Sequence, residues 1–212
     1  MNRQSIDAAI ASLRGRDPIL AGLIERHGSP PPRRTVPAGM RFAELVRSII
    51  FQQLAGRAAS TIHDRFVAGL GGEVTPRAIE SASPEMLRSC GLSGAKAASV
   101  KDLANKVAAG DVSLERAGRL DDESLIDHLI AVRGIGRWTA QMFLLGTLGR
   151  EDVWPTGDYG VRAGYASAWG LQEIPSPKEL AVLGEPFQPH RSIVAWYCWR
   201  AADERNQTPR SI

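Results

Sequence analysis

The sequence predicts an all-α protein. Three features of the chain carry that expectation. Apolar residues recur at helical spacing along most of its length, as in Ile6, Ile10 and Leu13 and again in Phe42, Leu45, Val46, Ile49 and Ile50. Sustained period-2 alternation of β-branched residues is nearly absent. Short joints of Ser, Thr, Asp, Gly and Pro fall where helices should start and stop. The pattern reads as many short helices without a solenoid period.

Residues 4–27 read as one or two helices, with Ile19, Leu20, Leu23 and Ile24 as the second apolar face. Gly28-Ser-Pro-Pro-Pro-Arg-Arg ends them as a stiff connector, and its Arg33 and Arg34 read as solvated charges. Residues 41–69 are helical on either side of Gln52-Gln53-Leu54-Ala55-Gly56. Thr75-Pro76 and Ser83-Pro84 each start a helix, the hydroxyl as N-cap and the proline in the first turn. A joint from Cys90 through Ser93, Gly94 and Lys96 leads into a helix ending near Ala109. Asp121 and Asp122 cap the next helix. That helix ends in the tight turn Val132-Arg133-Gly134-Ile135-Gly136, followed by a helix from about Arg137. After Pro155, Asp158 opens a helix over 159–169. Helices over 177–183 and about 191–203 complete the chain, with a polar, frayed tail from Glu204.

A chain of 212 residues, 43% hydrophobic and 23% charged, can bury a core and is not disordered. The net charge of +3 is too small to name a partner. The basic side is mostly arginine, which suits bidentate phosphate contacts and permits a nucleic-acid partner. Cys90 and Cys198 are the only cysteines, too few for a four-cysteine metal or iron–sulfur site. They read as reduced thiols. No apolar run is long enough to span a membrane, and the N-terminus lacks a secretory pattern. The expected location is therefore cytoplasmic. His27, His63, His128 and His190 show no metal-ligand spacing.

Two places could carry chemistry. A Gly-x-Gly turn between two helices aims backbone N–H groups and a helix dipole at one point, which suits a phosphate. The candidate contacts are Gly134, Ile135, Gly136, Arg137 and Thr139. Asp158 reads plainly as an N-cap. A carboxylate there is also kept ionised by the helix dipole and could stabilise a developing positive charge.

The hairpin, Pro155 and Asp158 together resemble the helix-hairpin-helix-Gly/Pro-Asp superfamily of DNA glycosylases, and within it the 3-methyladenine DNA glycosylase II type. The resemblance runs over about 41–201 and adds the last helix, from Pro189 through Trp196 and Trp199. It implies two helical subdomains with a DNA-binding cleft between them. Residues 1–35 plus 131–212 would carry the hairpin and the acid, and residues 36–130 a wedge loop. The chain reads as the short form, without the N-terminal β domain of larger relatives.

The resemblance further implies Asp158 as the catalytic acid. Trp138, Met142, Tyr159, Trp199 and Trp196 are the candidate base pocket, whose aromatic faces would attract a cationic base. Gln53 and Leu54 stand at the wedge that fills the gap left by a flipped nucleotide. Backbone carbonyls of Ile130, Val132 and Gly134 would hold a monovalent cation, sodium or potassium. No other cofactor and no iron–sulfur cluster is expected. The bifunctional branch carries a lysine where Trp138 stands, so a Schiff base is not expected and hydrolysis by water is. The expected activity is base excision repair of 3-methyladenine and 7-methylguanine by a monomer acting on double-stranded DNA, with no membrane partner. Two rivals stay open: a bifunctional endonuclease III-like glycosylase/lyase, and a non-catalytic helix-hairpin-helix DNA-binding protein.

Overall fold

The computed structural model describes residues 1–207, and among them helices are the only regular structure. The chain opens with α1 (Arg3–Arg14) and α2 (Pro18–His27). It continues through α3 (Arg41–Phe51), α4 (Gly56–Gly69), α5 (Pro76–Ser81), α6 (Pro84–Ser89), α7 (Gly94–Ala109) and α8 (Asp122–Ile130). Then follow α9 (Arg137–Gly146), α10 (Tyr159–Trp169), α11 (Pro177–Leu183) and α12 (Arg191–Gln207). The last helix runs past the expected end at Asp203. The remainder of the tail lies outside the described residues.

The expected starts hold because the capping side chains reach their targets. Thr75, Ser83, Ser93 and Asp121 each accept a backbone N–H three residues on. Asp17 Oδ1 accepts from Ile19 and Leu20 at 2.8 and 2.9 Å, and its Oδ2 accepts from Trp169 Nε1 at 3.1 Å. One carboxylate thus starts α2 and anchors α10.

Two compact units result, residues 1–35 with 144–212 and residues 36–143. The expected division at 131 is corrected to 144, inside α9. The physical reason is that the hairpin is bonded to α7 and to the turn after α3, all within 36–143.

The first unit's core joins Ile6, Leu13, Leu20 and Leu23 to Val161, Tyr165, Val194 and Tyr197. One contact there is backbone on backbone. A Cβ on Gly164 of α10 would lie 1.8 Å from the Cys198 carbonyl oxygen of α12. Only glycine lets these two helices approach so closely.

Gly164→Ala should therefore destabilise by at least about 1–3 kcal/mol, as overpacking does. Gly22→Ala, mid-helix with nothing within 4 Å of the new methyl, should stabilise by roughly 0.5–1 kcal/mol. Urea denaturation midpoints that move in opposite directions would bear this out, and a shared sign would contradict it.

Candidate active site

In the second unit α7 sets the shape of the hairpin. Gly134 has φ 77°, and a Cβ there would meet Ser99 Oγ at 2.4 Å. Glycine is needed for both reasons. The Ile135 N–H closes the turn onto the Val132 carbonyl at 3.1 Å. The Arg133 N–H donates to Asp102 Oδ2 at 2.7 Å, and Lys106 Nζ to Oδ1 at 2.7 Å. These bonds, Arg133's first, hold the Asp102 carboxyl below its ordinary 3.8. From the turn after α3, Gln52 Nε2 donates to the Gly134 carbonyl at 3.2 Å and to Thr139 Oγ1 at 3.1 Å.

The five candidate phosphate contacts divide accordingly. Gly134, Gly136 and Arg137 are exposed. Ile135 and Thr139 are buried, the first closing the turn with its N–H and the second accepting from Gln52. The Arg137 guanidinium pairs with Glu123, and both side chains are more than half exposed. Such a pair is worth under about 1 kcal/mol, so a phosphate can displace it.

Trp138 and Met142, one turn apart on α9, line a cavity of about 540 Å³ together with Arg47, Phe51, Gln53 and Gly134. That volume suits a small organic ligand. Trp138 is 46% exposed, and the Arg47 guanidinium sits 4.3 Å from the Phe51 ring centroid. Leu54 is 40% exposed, which rules out an ordinary core leucine. The residue before it, Gln53, has φ 57°, an unfavoured conformation for a residue with a Cβ.

The first unit holds the acid. Asp158 is half-buried at the N-terminus of α10. Its Oδ1 accepts the Val161 N–H at 2.8 Å and the Trp199 Nε1–H at 3.0 Å. The indole reaches the carboxylate across Gly160, where a Cβ would come within 3.0 Å of Trp199 and 3.1 Å of Asp158 Oδ1. Burial pushes the neighbouring Cys198 thiol far above its ordinary range, and the Asp158 charge adds to the effect.

The loop before Asp158 is tied down at both ends. Arg191 Nε and Nη2 grip Asp152 Oδ1 and Oδ2 at 2.8 Å each. Ser192 Oγ donates to the Arg150 carbonyl at 2.8 Å and accepts the Val153 N–H at 2.9 Å. Trp154 Nε1 donates to the Leu180 carbonyl at 2.7 Å, over Gly184, where a Cβ would lie 2.2 Å from that nitrogen.

The candidate residues therefore fall into two groups, the hairpin with Trp138, Met142, Gln53 and Leu54 in one unit, and Asp158 with Trp199, Tyr159 and Trp196 in the other. Tyr159 is 65% exposed beside the acid. Trp196 packs edge-on against Tyr197, with the Arg200 guanidinium 5.5 Å from its ring centroid. Sequence reasoning missed Gln52, Asp102, Asp152 and Arg191, whose partners lie far along the chain, and it reads the turn over 93–96 as a backbone contact or a solvated turn without foreseeing the Lys96 bonds to Ile50 and Gln52. It also missed Gly160 and Gly164, although two glycines four apart on one helix face are a usable sign of close helix approach.

The chain belongs to the HhH-GPD superfamily of base excision DNA repair proteins, whose family model matches residues 46–189. Among curated relatives it is 34% identical over 201 residues to DNA-3-methyladenine glycosylase 1 of Schizosaccharomyces pombe, across 93% of this chain and 88% of that one. It is 27% identical over 193 residues to DNA-3-methyladenine glycosylase 2 of Escherichia coli, across 85% of this chain and 65% of that one. Its fold superposes on the S. pombe 3-methyladenine DNA glycosylase in complex with abasic DNA with a TM-score of 0.82, at 34% identity, covering 95% of this chain and 99% of that one. A DNA-3-methyladenine glycosidase from Bacillus halodurans gives 0.84 at 30% identity, covering 96% and 93%.

The Asp102 bond to the hairpin has a pH signature. A carboxyl whose folded pKa is depressed stabilises the fold above its unfolded value and loses that contribution as pH falls through the folded value. Asp102→Asn should lower the denaturation midpoint and the hydrogen-exchange protection of the Arg133 amide at pH 7. The gap from wild type should close as the pH is taken below 3.8. A gap that persists unchanged in acid would show that the charge on Asp102 is not what holds the turn.

Proposed function

We propose that this chain is a monofunctional alkylbase DNA glycosylase that removes 3-methyladenine and 7-methylguanine from double-stranded DNA. The observation that carries the reading is the Asp158 carboxylate, held at a helix N-terminus by Val161 and by the Trp199 indole. The names of the relatives agree with it. No helix among the described residues is long and apolar enough to cross a membrane. We place the enzyme in the cytoplasm, acting as a monomer.

The exposed hairpin glycines and the start of α9 grip a backbone phosphate, and Leu54 enters the base stack as the nucleotide swings out. Trp138 and Met142 line the cavity of their own unit, and in the other unit Trp199 offers an aromatic face beside the acid. An alkylated purine is cationic in the nucleoside and leaves as a neutral base. The C1′–N bond breaks with its electron pair moving to the purine nitrogen, so no proton need be donated to the leaving group. The Asp158 charge stabilises the oxocarbenium-like sugar. Water then adds to C1′ and gives up one proton, which the Asp158 carboxylate accepts.

With Trp138 at the hairpin instead of a lysine, no imine forms there. Lys101 and Lys106, the nearest lysines in sequence, are occupied, the first by the Glu80 and Ala82 carbonyls and the second by Asp102. The chemistry calls on no cofactor. A monovalent cation at the hairpin is part of this reading, supported by the Val132 and Gly134 carbonyls, which each accept one hydrogen bond and keep a second lone pair. Ile130 would complete that set, and a bound ion would add positive charge next to the phosphate.

Asp158→Asn should keep affinity for abasic-analogue DNA while losing at least a hundredfold in release of 7-methylguanine from methylated DNA, read by chromatography of the freed bases. Near-normal release by that variant would overturn the proposal. Trp199→Phe keeps a ring but removes the donor to the carboxylate. A hydrogen bond to a charged group is worth about 1.5–3 kcal/mol, so single-turnover excision should slow roughly ten- to a hundredfold. An unchanged rate would show that the indole N–H is idle.

A further inference from the structure

The turn after α3 is held open in an unfavourable shape. A helix C-terminus leaves its last carbonyls without partners, and glycine usually turns the chain away there. Here Gln52, Gln53 and Leu54 do so with no glycine. Lys96 Nζ, from the first turn of α7, donates to the Ile50 carbonyl at 2.7 Å and to the Gln52 carbonyl at 2.6 Å. On the other side, the Gln52 amide reaches the hairpin at Gly134 and Thr139. Between these two holds Gln53 takes φ 57° and Leu54 stands 40% exposed.

We propose that Lys96 and Gln52 are positioning residues that clamp this turn, so that Leu54 is presented already formed and in register with the phosphate-gripping hairpin. The inference rests on the reading of Leu54 as the wedge, and it adds a cause for the wedge's shape. A turn that had to be ordered on contact would lose part of what the wedge contributes, because ordering costs conformational entropy. Without the ammonium, the Ile50 and Gln52 carbonyls lose the partner that lets Gln53 keep its left-handed backbone. Without the Gln52 amide, the wedge and the grip move independently. Lys96 needs its charge for this, and its partial burial draws its pKa below the ordinary 10.5.

The test is a double-mutant cycle on DNA with no bond to cleave. Binding of one duplex carrying a tetrahydrofuran abasic analogue, and of the same duplex undamaged, is measured for wild type, Lys96→Met, Leu54→Ala and the double variant. Leu54→Ala and Lys96→Met should each lower the preference for the abasic duplex about tenfold, and the double variant should lose no more than either alone. Losses that multiply, or a Lys96→Met protein with full preference, would overturn the clamp. Should Lys96→Met fail to fold, Gln52→Leu takes its place in the cycle with the same expected and overturning outcomes, since it leaves both Lys96 bonds in place. Excision of 7-methylguanine by wild type separates the two claims. An enzyme that excises but shows multiplying losses keeps its function and loses the clamp, whereas one that does not excise loses the function itself.

Discussion

The contact on which the acid depends is the backbone-to-backbone approach of α10 and α12. Gly164 admits the Cys198 carbonyl, and Gly160, one turn earlier, admits the Trp199 ring. A side chain at Gly164 would force the helices apart, and one at Gly160 would crowd the indole and Asp158. A hydrogen bond of 3.0 Å between residues 41 apart is thus secured by two absent Cβ atoms. The loop bonds from Asp152, Ser192 and Trp154 then fix the carboxylate from the other direction. The acid is held by α12 twice, through its first turn at Arg191 and Ser192 and through its third at Trp199.

The second unit follows the same logic with different chemistry. Its turns are shaped less by packing than by charged groups that satisfy backbone atoms. Asp102 takes an N–H from the hairpin, Lys96 gives hydrogen bonds to two carbonyls after α3, and Arg41 Nη1 gives hydrogen bonds to the Leu114 and Glu115 carbonyls. Charge-assisted bonds to backbone are stronger than neutral ones, and they fix a loop without covering it. A surface that must stay exposed to meet another molecule benefits from that. The hairpin glycines, Trp138 and Leu54 all remain accessible while the backbone beneath them is fastened.

The helices, their caps and the hairpin were legible in the sequence because they are local. Ser83-Pro84, Asp121 and Gly134 act within a few residues, so spacing reveals them. Asp158 was legible as an N-cap for the same reason, and the resemblance singled it out as an acid. The boundary between units was not legible. The hairpin and Asp158 are neighbours in the motif, which groups them together, yet Gln52 bonds to Gly134 across 82 positions and Asp102 to Arg133 across 31. No periodicity reports a single long-range hydrogen bond. Ile135 and Thr139 illustrate the same limit, since a motif names positions but not which way each side chain turns.

An N-cap requires only an acceptor. Serine does this work for α6, α7 and α11, and threonine for α5. Aspartate does it for α8, and at α2 and α10 the capping carboxylate also receives an indole N–H in a half-buried setting. A neutral amide could accept the same two bonds, so the full negative charge exceeds what capping demands. Placing it there brings a desolvation cost that serine would have avoided. Partial burial beside the Trp199 indole strengthens the field of that charge on anything brought beside it. The cap geometry is therefore shared by Asp17 and Asp158, and the proposed role of Asp158 toward a sugar ring acquiring positive charge rests on its place in the motif after the hairpin.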